Sequence, residues 1–275
     1  MLITKKINFR VVAIIAARNE ELCIETCIRH LASQGIDVFI LDNDSEDKTL
    51  DIAKSYLGKG VIGIERQPYL GYFDLAEILL KKEHVAKSIQ ADWFMHYDTD
   101  EIREAPLPYA NLREAIFDAD QRGYNAINFD EFVFMPGEGE SFENRDYVKE
   151  MTQYYFFEPN IIRHIKAWKK NNFINLVDSG GHKIKFRGIK IFPVNFILRH
   201  YIILSLKYAA KKYCIRNYFK KNVIERGWHG QRATIKADNI ILPPQEILKV
   251  YKNDRVWDKS DPWRKHYFLH YGERY

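Results

Sequence analysis

Short apolar runs alternate with amphipathic stretches over residues 10–100 of this 275-residue chain. Each apolar run has the length and composition of a buried strand, and each following stretch spaces its apolar positions as a helix does. Such alternation favours a mostly parallel sheet covered by helices. The predicted strands are Val11–Ala17, Val38–Leu41, Val61–Glu65 and Trp93–Tyr97, and the predicted helices are Glu20–Gln34, Lys48–Tyr56 and Asp74–Ser88.

After Arg103 the pattern is less regular. We predict a helix over Tyr109–Arg122, a strand over Asn125–Phe134 and a long, basic and aromatic helix over Phe196–Val223. The tail from Asp238 is expected to wrap the surface. Because no repeat or clear linker interrupts the chain, the sequence predicts one domain over 1–275, with parts at 1–130, 131–235 and 236–275.

Composition limits the classes of function. The chain is 46% hydrophobic and 29% charged, as globular proteins usually are. A net charge of +5 suits an anionic substrate or membrane surface but is too small to indicate nucleic acid. The three cysteines, Cys23, Cys27 and Cys214, form no zinc motif or disulfide framework, which favours a reducing, cytoplasmic setting. Val11–Ala17 is too short to cross a bilayer.

Two acidic residues follow the predicted strand Trp93–Tyr97. In open α/β sheets ligands bind at the carboxyl ends of strands. Asp98 and Asp100 are two positions apart, so in extended backbone both carboxylates point the same way. Two such oxygen donors suit Mg²⁺ or Mn²⁺, which usually also hold substrate phosphates. The alternative is a strand end followed by solvated acids in a turn.

Polar motifs also follow the first two predicted strands. A helix N-terminus offers backbone N–H groups and a positive dipole end to an anion or a polar ring. A carboxylate after the second strand can accept hydrogen bonds from a ribose or a base edge. The alternative for both motifs is helix capping by Asn19, Ser45 and Asp47. The candidate ligand-binding residues are Ala17, Arg18, Asn19, Glu20 and Asp42.

These motifs together resemble the family 2 glycosyltransferases of the GT-A fold. The similarity consists of an Ala-Arg-Asn-Glu turn, an Asp-Asn-Asp-Ser-x-Asp-x-Thr strand end and an Asp-Thr-Asp-Glu strand end, in that order. It covers roughly the first half of the chain and is an argument by analogy. The second half resembles a narrower bacterial branch at Ile165–Trp168, Ser179–His182, Leu198–Tyr201 and Arg226–His229.

The resemblance implies an α/β fold of GT-A type: a Rossmann-like, mostly parallel sheet flanked by helices, with a C-terminal helical elaboration. It implies a nucleoside-diphosphate sugar donor of the UDP or GDP type, bound by residues 1–130. Residues Ala17 to Glu20 and Asp42 would hold the nucleoside, and Asp98 would lie at the diphosphate. Mn²⁺ or Mg²⁺ would be held by Asp98, Asp100 and a downstream histidine, His200 or, as the alternative, His182.

The resemblance also implies groups that assist transfer from residues 131–235. The diphosphate leaves with negative charge that cations must neutralise. Candidates for closing over the phosphates are Lys211, Arg216, Trp228 and His229, and the alternative is a solvated basic face. An inverting transferase needs a carboxylate to deprotonate the acceptor hydroxyl. Asp130, Glu131 and Asp178 are candidates between which the sequence does not choose.

The sequence therefore predicts a metal-dependent glycosyltransferase that uses a glycan or lipid-linked acceptor in bacterial surface polysaccharide synthesis. The predicted location is the cytoplasm, with a peripheral contact at the inner face of the membrane and no nucleic-acid partner. One alternative is a sugar-phosphate nucleotidyltransferase, but that class has a Gly-rich phosphate loop where this chain has Ala-Arg-Asn-Glu. The other is a non-catalytic module that binds anionic glycans or membranes, which leaves Asp98 and Asp100 without a purpose.

Overall fold

The computed structural model describes residues 9–275, which form two compact units. The first unit contains residues up to Tyr69, Ala76–Phe129 and His164–Ile197. The second contains Leu70–Leu75, Asp130–Arg163 and Leu198–Tyr275. The chain therefore passes between the units several times, and neither unit is one continuous segment.

The regular elements are ten strands and seven α-helices in the described residues. The strands are β1 (Val11–Ala17), β2 (Asp37–Asp42), β3 (Val61–Arg66), β4 (Trp93–Tyr97), β5 (Glu101–Glu104), β6 (Ala126–Phe134), β7 (Gln153–Phe157), β8 (His164–Lys169), β9 (Phe196–His200) and β10 (Lys249–Val250). The helices are α1 (Ile24–Ser33), α2 (Thr49–Ser55), α3 (Leu75–Ser88), α4 (Leu112–Gln121), α5 (Tyr147–Glu150), α6 (Leu206–Ala209) and α7 (Lys220–Arg226).

The first unit is built on a parallel sheet. Strand β1 pairs in parallel with β2 on one side and β4 on the other, and β3 pairs in parallel with β2. Strand β8 runs antiparallel between β4 and the first residues of β6, so β6 returns to the direction of β4. This mostly parallel sheet with flanking helices confirms the predicted fold class.

Burial explains why the first elements were predictable. Strands β1 and β4 are apolar and almost fully buried, as parallel strands with both faces covered usually are. Helix α1 buries Ile24, Cys27, Ile28 and Leu31 at helical spacing. Cys27 thus serves as a small apolar core residue.

The second unit has an antiparallel ladder and an aromatic core. Strand β7 pairs with Glu131–Phe134 of β6, and β10 pairs with the other edge of β7. The C-terminal tail, which was expected to wrap the surface, adds buried side chains to this core. The ring of Trp263 stacks on Tyr155 with centroids 4.1 Å apart, and Phe268 is fully buried.

The predicted helix over Phe196–Val223 is wrong. Its first residues form β9, and the rest is divided among α6, a π-helical turn at Ala210–Cys214 and α7. A short apolar run such as Phe196–Leu198 does not distinguish a buried strand from a buried helix by periodicity. Strand β5, which is charged in sequence but largely buried, was not predicted.

No helix within residues 9–275 combines the length and the apolar character needed to cross a membrane.

Candidate functional site

The turn after β1 and the loop after β2 are joined by hydrogen bonds. Side chains of the β2 loop accept from the backbone N–H groups that were expected to face a ligand. These amides are therefore satisfied within the protein, and the turn can contact a ligand mainly through side chains. The bonds are Asn19 N–H to Ser45 Oγ (3.2 Å), Glu20 N–H to Thr49 Oγ1 (2.7 Å) and Glu21 N–H to Asp47 Oδ2 (3.1 Å).

Arg18 fixes the same two loops. Its guanidinium donates to the carbonyl of Asn43 at 2.8 Å and to the carboxylate of Glu46 at 2.8 Å. The guanidinium carbon also lies 3.6 Å from the ring centroid of Tyr69, a cation–π contact. Arg18 thus orders the edge of the sheet next to Ala17, the last residue of β1.

Asp42 ends β2 beside Ala17 and has no exposed surface. Its Oδ2 accepts from the Ser45 N–H at 3.3 Å and lies 3.8 Å from Nε of Arg66. Its Oδ1 has no hydrogen-bond partner among the described residues. A buried acceptor without a donor is costly, so this atom suits a hydroxyl or N–H group supplied by a ligand.

Gln67 is a site residue that the sequence did not indicate. It follows β3, and its N–H donates to the backbone carbonyl of Asp42 at 2.8 Å. Its side-chain Oε1 is buried and also lacks a partner among the described residues. The available signal was its position directly after a predicted parallel strand.

Asp98 lies at the carboxyl end of β4, among cationic side chains. Its Oδ2 is 3.2 Å from Nζ of Lys166, and its Oδ1 is 3.9 Å from Nζ of Lys82. Burial alone would raise the pKa of Asp98, but Lys166, His96 and Lys82 outweigh it and hold the pKa well below its usual range. The side chain is 43% exposed, so a charged carboxylate faces solvent at this strand end.

Lys82 and His96 are buried together under Asp98. Lys82 donates to the carbonyl of Tyr97 at 2.9 Å, and its Nζ lies 3.0 Å from Nδ1 of His96. Burial lowers the pKa of Lys82 to about 8. Burial and the neighbouring Lys82 charge lower the pKa of His96 well below its usual range, so its imidazole is neutral.

A buried ion-pair network continues behind Asp98. Lys166 donates to Glu101 at 2.5 Å, and Arg103 donates from Nε to the other oxygen of Glu101 at 3.1 Å. Arg103 lies under the rings of Tyr97 and Phe129, 4.2 and 4.8 Å from their centroids. The cations Lys82, Lys166 and Arg103 were not predicted as site residues. The signal for Lys166 was its position inside the apolar run Ile165–Trp168.

The glycine turn after Val177 packs against the end of β4. Gly181 approaches His96 so closely that a Cβ there would lie 2.9 Å from Nε2 of that histidine. Asp178 is 55% exposed, and its carboxylate is 3.5 Å from Nζ of Lys185. The ring of His182 lies 5.5 Å from that of His164.

The remaining carboxylate candidates lie on β6 in the second unit. Asp130 accepts from Lys259 at 2.5 Å. Glu131 lies 2.6 Å from Nδ1 of His200. A carboxylate on Nδ1 assigns the proton to that nitrogen and makes Nε2 the one that could bind a metal or accept a proton.

The basic and aromatic candidates of the second unit divide into two groups. Arg216 and His229 both contact the ring of Phe73, at 4.8 and 5.7 Å from its centroid. The ring centroid of Trp228 instead lies 4.8 Å from the guanidinium carbon of Arg226, and Lys211 follows α6 in the π-helical turn. Arg216 lies within the predicted helix Phe196–Val223, but the π-helical turn ends at Cys214, before Arg216.

The donor chemistry at β4 suits a divalent cation that is completed by other ligands. Asp98 and Asp100 supply hard oxygen donors, and Asp98 is ionised and partly exposed. Across residues 9–275, no group of three or more His, Cys, Asp or Glu side chains is arranged to hold a metal ion. A divalent cation at these two carboxylates would need further ligands, and substrate phosphates and water are the usual ones for Mg²⁺.

Comparisons with known proteins find a family match in the first part of the chain. A model described as "Glycosyl transferase family 2" matches residues 12–72, which contain β1, β2, β3 and the loops around Arg18 and Asp42. The predicted resemblance to the family 2 glycosyltransferases is confirmed for these residues.

One curated relative and two solved structures illustrate the range of similarity. An uncharacterized glycosyltransferase of Rickettsia bellii (strain RML369-C) is 33% identical over 100 residues, which are 36% of this chain and 29% of the relative. Residues 1–349 of S. aureus TarS align at a TM-score of 0.42 with 11% identity, over 84% of this chain and 77% of that one.

The second structure is glucosyl-3-phosphoglycerate synthase from Mycobacterium tuberculosis, solved with Mn²⁺, UDP and phosphoglyceric acid. It aligns at a TM-score of 0.27 with 17% identity, over 46% of this chain and 44% of that one. At these scores and identities the structural likenesses assign no ligand to this chain.

Proposed function

We propose that this protein transfers a sugar from a nucleoside-diphosphate sugar of the UDP or GDP type to a glycan or lipid-linked acceptor. The observation that carries the proposal is the buried Oδ1 of Asp42, which has no partner among the described residues. Asp42 and Asp98 end the two strands that flank β1. A nucleoside at the first carboxylate and its diphosphate at the second would span this edge of the sheet.

The nucleoside would be held by Asp42, Gln67 and the turn from Ala17 to Glu20. Asp42 Oδ1 would accept from a ribose hydroxyl or a base N–H. Gln67 Oε1 would accept from a second donor of the same nucleoside. Both assignments are supported by the lack of any other partner for these buried oxygens in the described chain.

The diphosphate would lie at Asp98 and Asp100, which would hold Mn²⁺ or Mg²⁺. The ion, when bound, would supply positive charge to the leaving diphosphate. We keep His200 as the proposed third protein ligand, through Nε2, because its Nδ1 lies against Glu131. His182 remains the alternative.

Acceptor activation is assigned to a carboxylate. Asp130, Glu131 and Asp178 are the proposed candidates for taking the hydroxyl proton. Glu131 lies against Nδ1 of His200, whereas Asp178 is exposed and only loosely paired with Lys185. The groups proposed to close over the phosphates are Lys211, Arg216, Trp228 and His229. Two of them, Arg216 and His229, contact the ring of Phe73.

We place the reaction in bacterial surface polysaccharide synthesis in the cytoplasm, with a peripheral contact at the inner face of the membrane. Free cysteines support a reducing compartment. Ile215 and Ile224, 76% and 79% exposed, lie in the basic segment that contains Lys211, Lys220 and Lys221. Exposed apolar residues among lysines suit an anionic lipid surface.

The proposal is tested by thermal stabilisation. UDP, GDP, CMP and dTDP are each added with and without Mn²⁺ to wild type, Asp42→Asn and Asp98→Asn. A ligand that binds only the folded protein raises its melting temperature by mass action. We expect one nucleoside diphosphate to stabilise wild type, Asp42→Asn to lose the effect, and Asp98→Asn to lose its Mn²⁺-dependent part.

Asp51→Asn is the matched control, since Asp51 is an exposed carboxylate on α2. It should respond as wild type does. The sugar nucleotide with the stabilising base is then supplied, and release of the free nucleoside diphosphate is measured. Folded wild-type protein that is stabilised by none of the four nucleotides would contradict the donor site.

A further inference from the structure

The Asp98 carboxylate lies in a network of buried charges. The cations Lys82, Lys166 and Arg103 lie against the carboxylates of Asp98 and Glu101 through ion pairs and contacts. Asp100 is a third buried carboxylate at the same strand end. The three cationic side chains are at most 4% exposed. A buried cation is strongly destabilising unless a counter-ion or hydrogen-bond acceptors compensate it. The network is thus compensated in part by the very carboxylate that is assigned to the metal.

Both oxygens of the Asp98 carboxylate face this positive charge. Lys166 approaches Oδ2 from β8, and Lys82 approaches Oδ1 from α3. Nε2 of His96 lies 3.7 Å from Oδ2. Two separate elements therefore hold the carboxylate in place before any ligand binds.

We propose that Lys166 and Lys82 are positioning residues that act as built-in counter-ions of Asp98, so that the protein captures a divalent cation together with the donor diphosphate and not before it. The inference rests on the proposed function for the identity of the diphosphate. A cation approaching Asp98 alone meets two ammonium groups, which repel it. A diphosphate that arrives with the cation brings negative charge that balances the cation and both ammonium groups.

The test measures Mn²⁺ binding directly, by the electron paramagnetic resonance signal of free Mn²⁺ during titration. Wild type, Lys166→Gln and Lys82→Gln are compared without nucleotide and with UDP or GDP. Lys166→Gln leaves Glu101 paired with Arg103, and Lys82→Gln retains an N–H donor for the Tyr97 carbonyl. Removing one ammonium at this distance should tighten nucleotide-free Mn²⁺ binding by about tenfold or more.

Two neighbouring lysines provide matched controls. Lys169 lies on β8 but pairs with Asp120 at 2.9 Å, and Lys81 lies on α3 but pairs with Glu65. Lys169→Gln and Lys81→Gln remove the same charge and should leave Mn²⁺ affinity within about twofold of wild type, because each lysine is paired with its own carboxylate and solvent reaches both side chains, 50% and 30% exposed. The double variant Lys166→Gln, Asp98→Asn should lose the gain, which would localise the effect to Asp98.

Unchanged nucleotide-free Mn²⁺ affinity in folded Lys166→Gln and Lys82→Gln would overturn the inference. So would wild-type protein that binds Mn²⁺ as tightly alone as with the nucleotide, a measurement that needs no variant. These outcomes are distinct from a failure of the proposed function, which would be no stabilisation of wild type by any nucleotide. The nucleotide-free comparison of variants stands in either case.

Discussion

Gly181 shows how one residue couples the glycine turn to the candidate site. Its backbone has a φ of +82°, in the left-handed region that favours glycine. A Cβ at this position would lie 2.9 Å from Nε2 of His96 and 3.1 Å from Cδ2 of Leu79. His96 in turn contacts Lys82, so a side chain at Gly181 would push on the group that supports Asp98.

Replacing Gly181 by alanine should therefore destabilise the protein for two reasons. The left-handed backbone costs a non-glycine residue about 1–2 kcal/mol, and overpacking against a buried ring adds about 1–3 kcal/mol. Gly188→Ala is the control, because Gly188 has a φ of +76° but no atom within 4 Å of the added Cβ. Urea denaturation should show a clearly larger loss for Gly181→Ala. Equal losses would mean that the turn yields without disturbing His96.

At the level of elements, helix α4 depends on a side-chain cap. Asn111 accepts from the N–H of Glu114 at 2.9 Å, and the helix behind it buries Leu112, Ala115 and Ile116. Helix α2 begins after Lys48, whose side chain makes no capping bond. The two helix starts provide a matched comparison.

Asn111→Ala should lower the free energy of unfolding by about 1 kcal/mol, since it leaves one helix N–H without its acceptor. Lys48→Ala, at the other helix start, should change it by less than about 0.5 kcal/mol. Both are measured by urea denaturation at the same pH. A loss for Lys48→Ala as large as that for Asn111→Ala would show that the capping bond is not the cause.

How far the sequence predicted the elements depended on how local their signal was. The observed bounds of β1 and β4 match the prediction because each is an apolar run that ends at polar residues. Strand β9 was assigned to a helix because nothing local distinguishes the two for Phe196–Leu198. The pairing of Lys166 with Asp98 joins residues 68 positions apart, which no local pattern contains.

At the level of the whole molecule, the site joins distant parts of the chain. The predicted boundary at 130 would separate Asp98 from β8, although β8 pairs with β4 and carries Lys166. Residues 9–130 alone lack the strand that pairs with this edge of β4, so the predicted boundary divides the first unit. The prediction of one domain over 1–275 stays a prediction.

The pH dependence of the free energy of unfolding should depend on a partly buried histidine in the second unit, His266. The ring of His266 stacks on Phe157 with centroids 3.9 Å apart, and its Nδ1 lies 2.7 Å from the hydroxyl of Tyr155. Desolvation raises the pKa of Tyr155, so its hydroxyl stays protonated and donates a hydrogen bond to the imidazole. Desolvation also lowers the pKa of His266 well below its ordinary value of 6.5.

The direction in which pH changes the free energy of unfolding depends on whether the folded or the unfolded state binds the proton. Above pH 6.5 neither the folded nor the unfolded His266 is protonated, so this group does not change stability there. Below pH 6.5 the unfolded chain binds a proton that the folded protein excludes, and the free energy of unfolding falls. One histidine contributes at most about 1.4 kcal/mol per pH unit, and partial exposure of this ring reduces that slope.

Urea denaturation between pH 7.5 and 5 should show this fall in the free energy of unfolding in wild type and a smaller fall in His266→Gln. His84→Gln, an exposed histidine on α3, should keep the wild-type slope. If His266→Gln also keeps it, the folded protein admits a proton at His266, and the neutral, Tyr155-bound imidazole is not its state in solution.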